Sequence, residues 1–271
     1  MKSTEINEQQ IINHLKIHKS ISINDAIRVT DSSESTVRRT FKRLEATGNY
    51  IRSYGGIRLA SESGADSDYY YEHTENRHVE AKLTISTLAL SLVESEDVIY
   101  LDSGTTLARF AAKLAEALDK KQLYGVKIFT NSLVNLNLLK RHDITLIGGK
   151  FRDLRKDFYG YTAEDTLKTL HFKKCFLGAD AYSTEDGFTT TDFHTARLNE
   201  LVLERSERKY VLMDSSKFFA SSIVSYSRRI SPDMVISEAH PDRSYPETAD
   251  IPIKIMSAEK SSQKADGAKI K

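Results

Sequence analysis

A short polar segment that follows an apolar run is the part of this sequence best suited to bind a phosphate. The run covers residues 98–101, and the segment consists of Asp102, Ser103, Gly104, Thr105 and Thr106. A turn of small residues between a strand and a helix surrounds an anion with backbone N–H groups and the positive helix end, and hydroxyl groups add further donors. An ordinary capped turn fits the same residues, since no Walker lysine follows and the GxGxxG pattern is absent.

Polar or glycine-rich residues also follow other apolar runs of the chain. They are Thr130, Asn131, Ser132, Gly148, Gly149 and Lys217. Ligands of open parallel sheets bind beyond the carboxyl ends of the strands, so we expect these residues to share one crevice with segment 102–106. Lys217 offers a phosphorylated ligand a compact cation, although a surface lysine fits the same position. Segment 186–190 is either a loop that closes over the ligand or a plain turn.

The amino-terminal part of the chain is strongly basic. Residues 1–60 contain ten Lys or Arg and six Asp or Glu, whereas the whole chain has a formal charge of only +1. From Arg38 to Arg58 there are six basic residues and one acid. Uneven charge along a chain favours a polyanionic partner for the basic part. Taken alone, a run of charge is also typical of a solvated surface.

Two helical segments open this basic region. The first has an apolar stripe at Ile11, Ile12 and Leu15. Ser22 and Asp25 stand three residues apart, which predicts a capping box at the start of a short second helix. A turn at residues 30–32 is predicted after the second segment.

A third helix is predicted over 33–47, with Ser33 as its cap. Its apolar residues Val37, Phe41 and Leu44 recur at helical spacing and are expected to face the core. The remaining polar and basic side chains then lie largely away from the core, where a recognition helix contacts DNA. The candidates on this helix are Ser35, Thr36, Arg38, Arg39, Lys42 and Arg43.

A hairpin is predicted after the third helix. Two apolar runs flank Tyr54-Gly55-Gly56, and glycines at this place are typical of a tight turn. Arg52, Tyr54 and Arg58 would form a basic wing beside the helix. Guanidinium groups bind phosphates or guanine edges in the major groove. Turn, capped helix, phased basic face and hairpin together predict a winged helix-turn-helix DNA-binding domain over 1–60.

The rest of the chain predicts a linker and an α/β domain. Residues 61–75 are assigned to the linker, 76–258 to the second domain and 259–271 to a disordered tail. Short apolar runs alternate with helical patterns, which predicts an open, mainly parallel sheet covered by helices. The predicted strands are 98–101, 126–129, 144–147, 174–177, 210–213 and 234–236. The predicted helices are 76–93, 106–118, 132–140, 162–170 and 194–206.

Several classes of protein are excluded or disfavoured. No apolar run is long enough to span a membrane and no signal-peptide core opens the chain, so we expect a cytoplasmic protein without a membrane partner. The single cysteine, Cys175, excludes an intramolecular disulfide and is expected to be a buried small side chain. The eight histidines show no metal-binding spacing, and there is no nucleophile elbow. We expect no metal, no cofactor and no catalytic residue.

Motifs in both parts of the chain, taken in order, resemble the DeoR family of bacterial regulators of sugar metabolism. The resemblance covers residues 6–237. The motifs that carry it are Ser35-Thr36-Val37-Arg38-Arg39, Tyr54-Gly55-Gly56, Leu101-Asp102-Ser103-Gly104-Thr105-Thr106, Thr130-Asn131-Ser132, Gly148-Gly149, Phe176-Leu177-Gly178-Ala179 and Asp214-Ser215-Ser216-Lys217-Phe218.

The resemblance implies a regulator, more often a repressor, that binds double-stranded operator DNA as a homodimer or homotetramer. It implies a carboxy-terminal sensor similar to ribose-5-phosphate isomerase that binds a phosphorylated sugar. Segment 102–106 would hold the phosphate or adjacent hydroxyls. The pocket would be completed by Thr130, Asn131, Gly148, Gly149 and Lys217.

Three positions depart from the family pattern. Thr40 stands where an Asp is frequent, Thr195-Ala196 where Glu-Ala is frequent, and Ser237-Glu238 where Thr-Asp is frequent. Two other functions stay open beside the repressor. One is a sugar-phosphate isomerase or deaminase, suggested by the shared sensor architecture and by carboxylates near Lys217. The other, suggested by the departure at Thr195, is a DNA-binding protein whose sensor no longer binds a ligand.

Overall fold

The computed structural model describes residues 3–18, 20–47, 50–53, 56–59, 71–241 and 251–258. The chain divides into two units, Met1–Asp68 and Tyr69–Lys271. The predicted linker residues 61–70 and the tail 259–271 lie outside the described residues. Residues 71–75, which the sequence assigned to the linker, form a helix of the second unit.

The first unit has the helix and strand order of a winged helix-turn-helix. Its elements are α1 (Ser3–His18), β1 (Ser20–Ser22), α2 (Ile23–Thr30), α3 (Glu34–Ala46), β2 (Tyr50–Ser53) and β3 (Gly56–Leu59). The three described strands pair antiparallel in the order β1-β3-β2. Sequence analysis predicted the three helices and the hairpin but missed β1, which is only three residues long.

An apolar core holds the first unit together. Ile11, Leu15, Val37, Phe41 and Leu44 are buried together, so the helical stripes predicted for the first and third helices face this core. Gly56 lies opposite Ser22 in the antiparallel pair of β3 and β1, and a Cβ at this position would stand 2.6 Å from the carbonyl oxygen of Ile21. The close approach of these strands therefore requires glycine at position 56.

The predicted caps are realised in different ways. Ser22 precedes α2 and accepts a hydrogen bond from the backbone N–H of Asp25, as predicted. Ser33 precedes α3, but within the described chain its side chain makes no capping bond. Its hydroxyl instead lies 3.1 Å from the Ser35 hydroxyl and 3.0 Å from the Thr36 hydroxyl. The prediction that Ser33 caps α3 is therefore right for the helix start and wrong for the side-chain bond.

The second unit is built on a parallel sheet with helices and small hairpins around it. Its helices are α4 (Tyr71–Glu75), α5 (Val79–Leu90), α6 (Thr105–Asp119), α7 (Leu133–Leu139), α8 (Tyr161–Thr169) and α9 (Phe193–Glu204). Its strands are β4 (Val98–Leu101), β5 (Lys127–Thr130), β6 (Ile144–Leu146), β7 (Lys150–Arg152), β8 (Asp157–Tyr159), β9 (Phe172–Gly178), β10 (Ala181–Ser183), β11 (Gly187–Thr190), β12 (Ser206–Leu212), β13 (Val224–Ser225), β14 (Met234–Ile236) and β15 (Lys254–Met256).

Seven of the described strands form one sheet in the order β15-β14-β12-β9-β4-β5-β6, and every neighbouring pair is parallel. Alternate side chains of a strand enter opposite cores: Tyr100 packs in one, Ile99 and Leu101 in the other. A sheet buried on both faces explains the continuous apolar runs of the sequence. The predicted open parallel sheet is confirmed. Cys175 is buried on β9, and burial raises the pKa of its thiol to about 12.

Several elements were not predicted. The strand pair β7–β8, the antiparallel group β10-β11-β13 and the edge strand β15 are short or polar, so they lack a strong sequence signal. Segment 186–190, considered as a closing loop or a plain turn, contains the paired strand β11. Among the described residues no helix is both long and apolar enough to cross a bilayer, and no group of His, Cys, Asp or Glu is arranged to hold a metal.

Candidate functional site

Helix α3 presents a polar face opposite its buried stripe. Because successive helical residues turn by about 100°, Ser35, Arg39 and Lys42 point away from Val37 and Phe41. All three are exposed, as are Arg38 and Arg43, whereas Thr36 is half-buried. The structure therefore brings the helix residues predicted for DNA onto the outer surface of α3, with Ser35, Arg39 and Lys42 at its centre.

Arginines on the flanks of α3 are held by neighbours. Arg38 forms an ion pair with Glu34 at 2.7 Å, one helical turn earlier. Arg43 pairs with Glu8 of α1 at 3.0 Å and donates to the Thr40 hydroxyl at 3.3 Å. Arg39 instead donates to the Ser35 carbonyl on its own helix at 3.2 Å. Arg43 thus lies toward α1, and Arg39 stays on the central outer face.

The wing is described through its backbone. Arg52 lies opposite Ile57 and Arg58 opposite Ile51 in the β2–β3 register. Tyr54, the third wing residue predicted to contact DNA, lies outside the described residues.

A cavity of about 210 Å³ opens in the second unit beyond the carboxyl ends of β4, β9 and β12. Segment 102–106 and Lys217 line it, as the sequence predicted. The other lining residues are Thr74, Arg77, His78, Lys82, Leu107, Arg155, Gly178, Ala179, Asp180, Thr190, Thr195, Leu212, Asp214 and Ser216. Basic side chains of three separate segments therefore meet carboxylates and the first turn of α6 in one small space.

Asp102 joins two strand ends beneath the cavity. Its carboxylate accepts from the backbone N–H groups of Ser103 at 2.7 Å and Gly178 at 3.1 Å, and from the Asn199 amide at 3.3 Å. Burial raises the pKa of Asp102 to about 6, against the lowering effect of these N–H donors. Asp102 therefore fixes the start of segment 102–106 against β9.

Lys217 holds the opposite rim of this cavity. Its ammonium donates to the Ala179 carbonyl at 2.7 Å. Burial acts to raise the pKa values of Asp180 and Asp214, but the Lys217 charge and local hydrogen bonds outweigh it and hold both below the usual range. Glu238 supports the turn that carries Lys217, since it accepts from the Ser215 hydroxyl at 2.6 Å. Glu238, one of the departures from the family pattern, thus keeps a structural role here.

Lys82 is a cavity residue that sequence analysis missed. It is only 3% exposed, and its ammonium donates to the Thr74 carbonyl at 2.6 Å. Burial, followed by the nearby charge of Lys217, lowers the pKa of Lys82 to about 8. Lys82 shares a buried helix face with Ile85 and Ala89. A lysine in phase with an apolar stripe was the signal that could have identified it.

Five predicted pocket residues lie elsewhere. None of Thr130, Asn131, Ser132, Gly148 and Gly149 is among the described residues that line the cavity. The sheet order explains this, because β5 and β6 lie beyond β4 on the side away from β9 and β12.

Local structure occupies four of these five residues. The Thr130 hydroxyl donates to the Leu101 carbonyl at 2.7 Å, and Asn131 donates to the Phe158 carbonyl at 3.2 Å. Ser132 caps α7, and a Cβ at Gly149 would collide with the carbonyl oxygen of Tyr159. Their role in ligand binding stays a prediction.

Comparison with known proteins identifies the family. A family model described as the DeoR C terminal sensor domain matches residues 77–239, and one described as a DeoR-like helix-turn-helix domain matches residues 8–63. The chain belongs to the DeoR family. This DeoR-family protein is a DNA-binding transcriptional regulator with an amino-terminal helix-turn-helix and a carboxy-terminal sensor domain.

Named relatives agree with this family. The chain is 33% identical to the "Uncharacterized HTH-type transcriptional regulator FruR" of Bacillus subtilis, over 78% of this chain and 81% of that protein. It is 32% identical to the "Lactose phosphotransferase system repressor" of Lactococcus lactis over the same shares. It is 32% identical to the "Putative aga operon transcriptional repressor" of Escherichia coli O157:H7, over 81% of each chain.

Among solved structures, the DeoR-family chain is similar to ribose 5-phosphate isomerase A of Methanocaldococcus jannaschii. The TM-score is 0.40 at 20% identity, covering 52% of this chain and 54% of that one.

Proposed function

We propose that this DeoR-family regulator represses a sugar-metabolism operon, and that a phosphorylated sugar bound in the cavity lowers its affinity for operator DNA. The observation that carries the proposal is the cavity itself. There Lys82 and Lys217 meet the first turn of α6 beside hydroxyl and carboxylate groups. Cations and a helix amino terminus suit a phosphate, and the neighbouring oxygen atoms suit sugar hydroxyls.

In this proposal the outer face of α3 enters the major groove. Arg39 and Lys42, supported by Ser35 and Thr36, reach base edges or phosphates, and Arg38 and Arg43 contact phosphates on the flanks. Arg52, Tyr54 and Arg58 of the wing contact the DNA backbone. Binding then falls steeply as the salt concentration rises, because each neutralised phosphate releases counterions.

The effector is held in two parts. Its phosphate lies against the first turn of α6 (Thr105 and Thr106), Lys82 and Lys217, and its sugar lies toward Asp102 and Thr195. Both lysines come from segments far from 102–106 in the sequence, so binding ties together α5, α6 and the turn after β12. An effector–operator coupling of ordinary size is about 1–3 kcal/mol, or roughly 5–150-fold in operator affinity.

Assembly, location and activity complete the proposal. A homodimer or homotetramer presents two copies of α3 to an operator with two half-sites. A repressor acts where the chromosome is, which in a bacterium is the cytoplasm.

The protein is a binding protein and does not turn over its effector. Ribose 5-phosphate and glucosamine 6-phosphate incubated with the full chain are expected to remain unchanged, and measurable conversion of either would favour the isomerase or deaminase alternative.

One titration tests the central claim. Operator DNA is first selected from a random pool with the full-length protein. Gel shifts are then measured with increasing ribose 5-phosphate, glucosamine 6-phosphate and other phosphosugars, alongside thermal shifts with the same compounds. We expect one class of phosphosugar to raise the melting temperature by mass action and to release the DNA. If DNA is bound but no phosphosugar stabilises the protein, the sensor has lost its ligand.

A further inference from the structure

An arginine whose side chain is 11% exposed binds residues next to the cavity. Arg152, on β7, donates from Nε to Asp157 Oδ1 and from Nη2 to Asp157 Oδ2, both at 2.8 Å. Its Nη1 donates to Asp192 Oδ1 at 2.6 Å, and Nη2 also donates to the Thr195 hydroxyl at 3.1 Å. One guanidinium group therefore fixes two carboxylates and a hydroxyl from two parts of the chain, β8 and the start of α9.

The same network reaches a second residue of the cavity. Ser103 donates its hydroxyl proton to Asp157 Oδ2 at 3.2 Å. A chain of three hydrogen bonds thus connects the hydroxyls of Ser103 and Thr195 through Asp157 and Arg152. Ser103 and Thr195 line the cavity, whereas Arg152 is not among the described lining residues. We call the part of the lining formed by Ser103 and Thr195 the hydroxyl wall.

Charge keeps this network in one protonation state. Burial acts to lower the pKa of Arg152, but the hydrogen bonds and charges of Asp157 and Asp192 outweigh it and raise it. Burial also acts to raise the pKa of Asp192, yet Arg152 lowers it to about 2. At neutral pH Asp192 is therefore ionised, and an ionised carboxylate only accepts hydrogen bonds.

Hydroxyl groups can donate one hydrogen bond and accept two. Thr195 gives its proton to Asp192 at 2.8 Å and accepts from Arg152, while Ser103 gives its proton to Asp157. Among the bonds between described residues, each of the two hydroxyls already donates its one proton and can still accept a hydrogen bond. A phosphate oxygen needs donors, so these two hydroxyls suit it poorly. They suit a ligand group that donates.

We propose that Arg152 is a positioning residue of the effector site, which orients the hydroxyl wall to accept hydrogen bonds from the sugar hydroxyl or amino groups of the ligand. The proposal rests on the proposed phosphosugar function and refines it. Ser103 belongs to the segment expected to bind phosphate. Because its hydroxyl donates to Asp157, it accepts a hydrogen bond from the sugar instead. The phosphate stays with the α6 amino terminus, Lys82 and Lys217. Arg152 thereby contributes to the discrimination between a phosphosugar and bare phosphate.

Paired titrations of the full-length protein test this division. Inorganic phosphate, ribose 5-phosphate and glucosamine 6-phosphate are titrated calorimetrically into wild type, Thr195→Val, Thr195→Ser and Arg152→Lys. Thr195→Val removes the accepting hydroxyl at nearly constant volume, whereas Thr195→Ser retains it. Arg152→Lys retains the charge but not the planar fork that bonds Asp157 twice. Arg197→Gln on the same helix, α9, changes an ion pair with Glu200 and serves as the matched control.

We expect Thr195→Val and Arg152→Lys to lower the affinity for the sugar phosphate that binds wild type by roughly tenfold. This corresponds to the loss of one good hydrogen bond. The affinity for inorganic phosphate is expected to change by less than about twofold in both variants. Thr195→Ser and Arg197→Gln should bind both ligands as wild type does. A role of Arg152 in stability alone would lower the melting temperature without changing the ratio of the two affinities.

Four outcomes would contradict the proposal. The first is an Arg152→Lys variant with a lower melting temperature and an unchanged ratio of the two affinities. If Thr195→Val binds phosphate and sugar phosphate equally more weakly than wild type, or binds both with unchanged affinity, the proposed role of the hydroxyl wall is wrong. The proposed sensor function is not affected by either result. The Thr195 pair decides this even if Arg152→Lys does not fold. Wild-type protein that binds phosphate but none of the phosphosugars used in the thermal shifts overturns the wall and the proposed effector class together.

Discussion

Helix α3 presents Ser35, Arg39 and Lys42 within two helical turns, whereas the cavity of the second unit draws its charged groups from α5, the β4–α6 turn and the turn after β12. The first site depends on helical periodicity alone, and any helix with that phasing would expose the same face. The second site exists only because β4, β9 and β12 are neighbours in the sheet. A site built locally tolerates changes elsewhere in the fold, and a site built from distant segments depends on the sheet order.

The largest effect is expected from the local site. Arg39→Ala together with Lys42→Ala removes the two central basic groups of α3, and base or phosphate contacts of this kind are worth about 1–3 kcal/mol each. We expect operator affinity to fall by roughly 10²–10³-fold, with a weaker salt dependence, in gel shifts at several salt concentrations. Arg208→Ala, an exposed arginine of the second unit, is the control. Unchanged operator binding in the double variant would show that this face of α3 does not contact the operator.

The independence of the two sites is tested next by Gly56→Ala. The new Cβ would stand 2.6 Å from the Ile21 carbonyl, so β1 and β3 must separate at a cost of about 1–3 kcal/mol. Operator binding should weaken while calorimetric binding of phosphate stays as in wild type. Gly148→Ala is the control for DNA binding alone, because nothing lies within 4 Å of a Cβ there and Gly148 is itself a predicted effector residue. Parallel loss of DNA and phosphate binding would show that the two units do not fold independently.

An intermediate effect is expected at the assembled site. Lys82→Met removes a buried ammonium from the cavity, and a hydrogen bond to a charged group is worth about 1.5–3 kcal/mol. Phosphate and sugar phosphates should both bind roughly 10–150-fold more weakly in calorimetric titrations. Lys168→Met, on the surface of α8, should bind as wild type does. Wild-type affinity for phosphate in Lys82→Met would show that the phosphate does not bind at Lys82 on α5.

The smallest effect is a pH dependence of the same site. The pKa of Lys82 is lowered to about 8, so the side chain is a cation at pH 7 and is largely neutral at pH 9. A phosphate monoester is already dianionic above its second pKa of about 6 and does not titrate in this interval. Effector affinity should therefore fall roughly tenfold as the pH rises from about 7 to about 9, and Lys82→Met should abolish this slope. An identical slope in the variant would assign the titration to another group.

Sequence reasoning succeeded where the signal repeats along the chain. The phasing of Val37, Phe41 and Leu44 placed the face of α3, and continuous apolar runs placed six of the seven described strands of the parallel sheet within a few residues. It failed where the signal is short or arises from a distant partner. Strand β1 has three residues, and the phasing of Lys82 with an apolar stripe predicts its burial but not the cavity that it lines.

The amino-acid sequence by itself determined the two units, the outer face of α3 and the phosphate-suited turn at 102–106. These depend on periodicity and turn chemistry between near neighbours in the chain. Only the tertiary structure decided which strand ends share the cavity, because the strand order is set by packing between segments tens of residues apart. That order brought Lys82, Lys217 and the Arg152 network to segment 102–106 and placed Thr130, Asn131 and Gly149 in supporting contacts elsewhere.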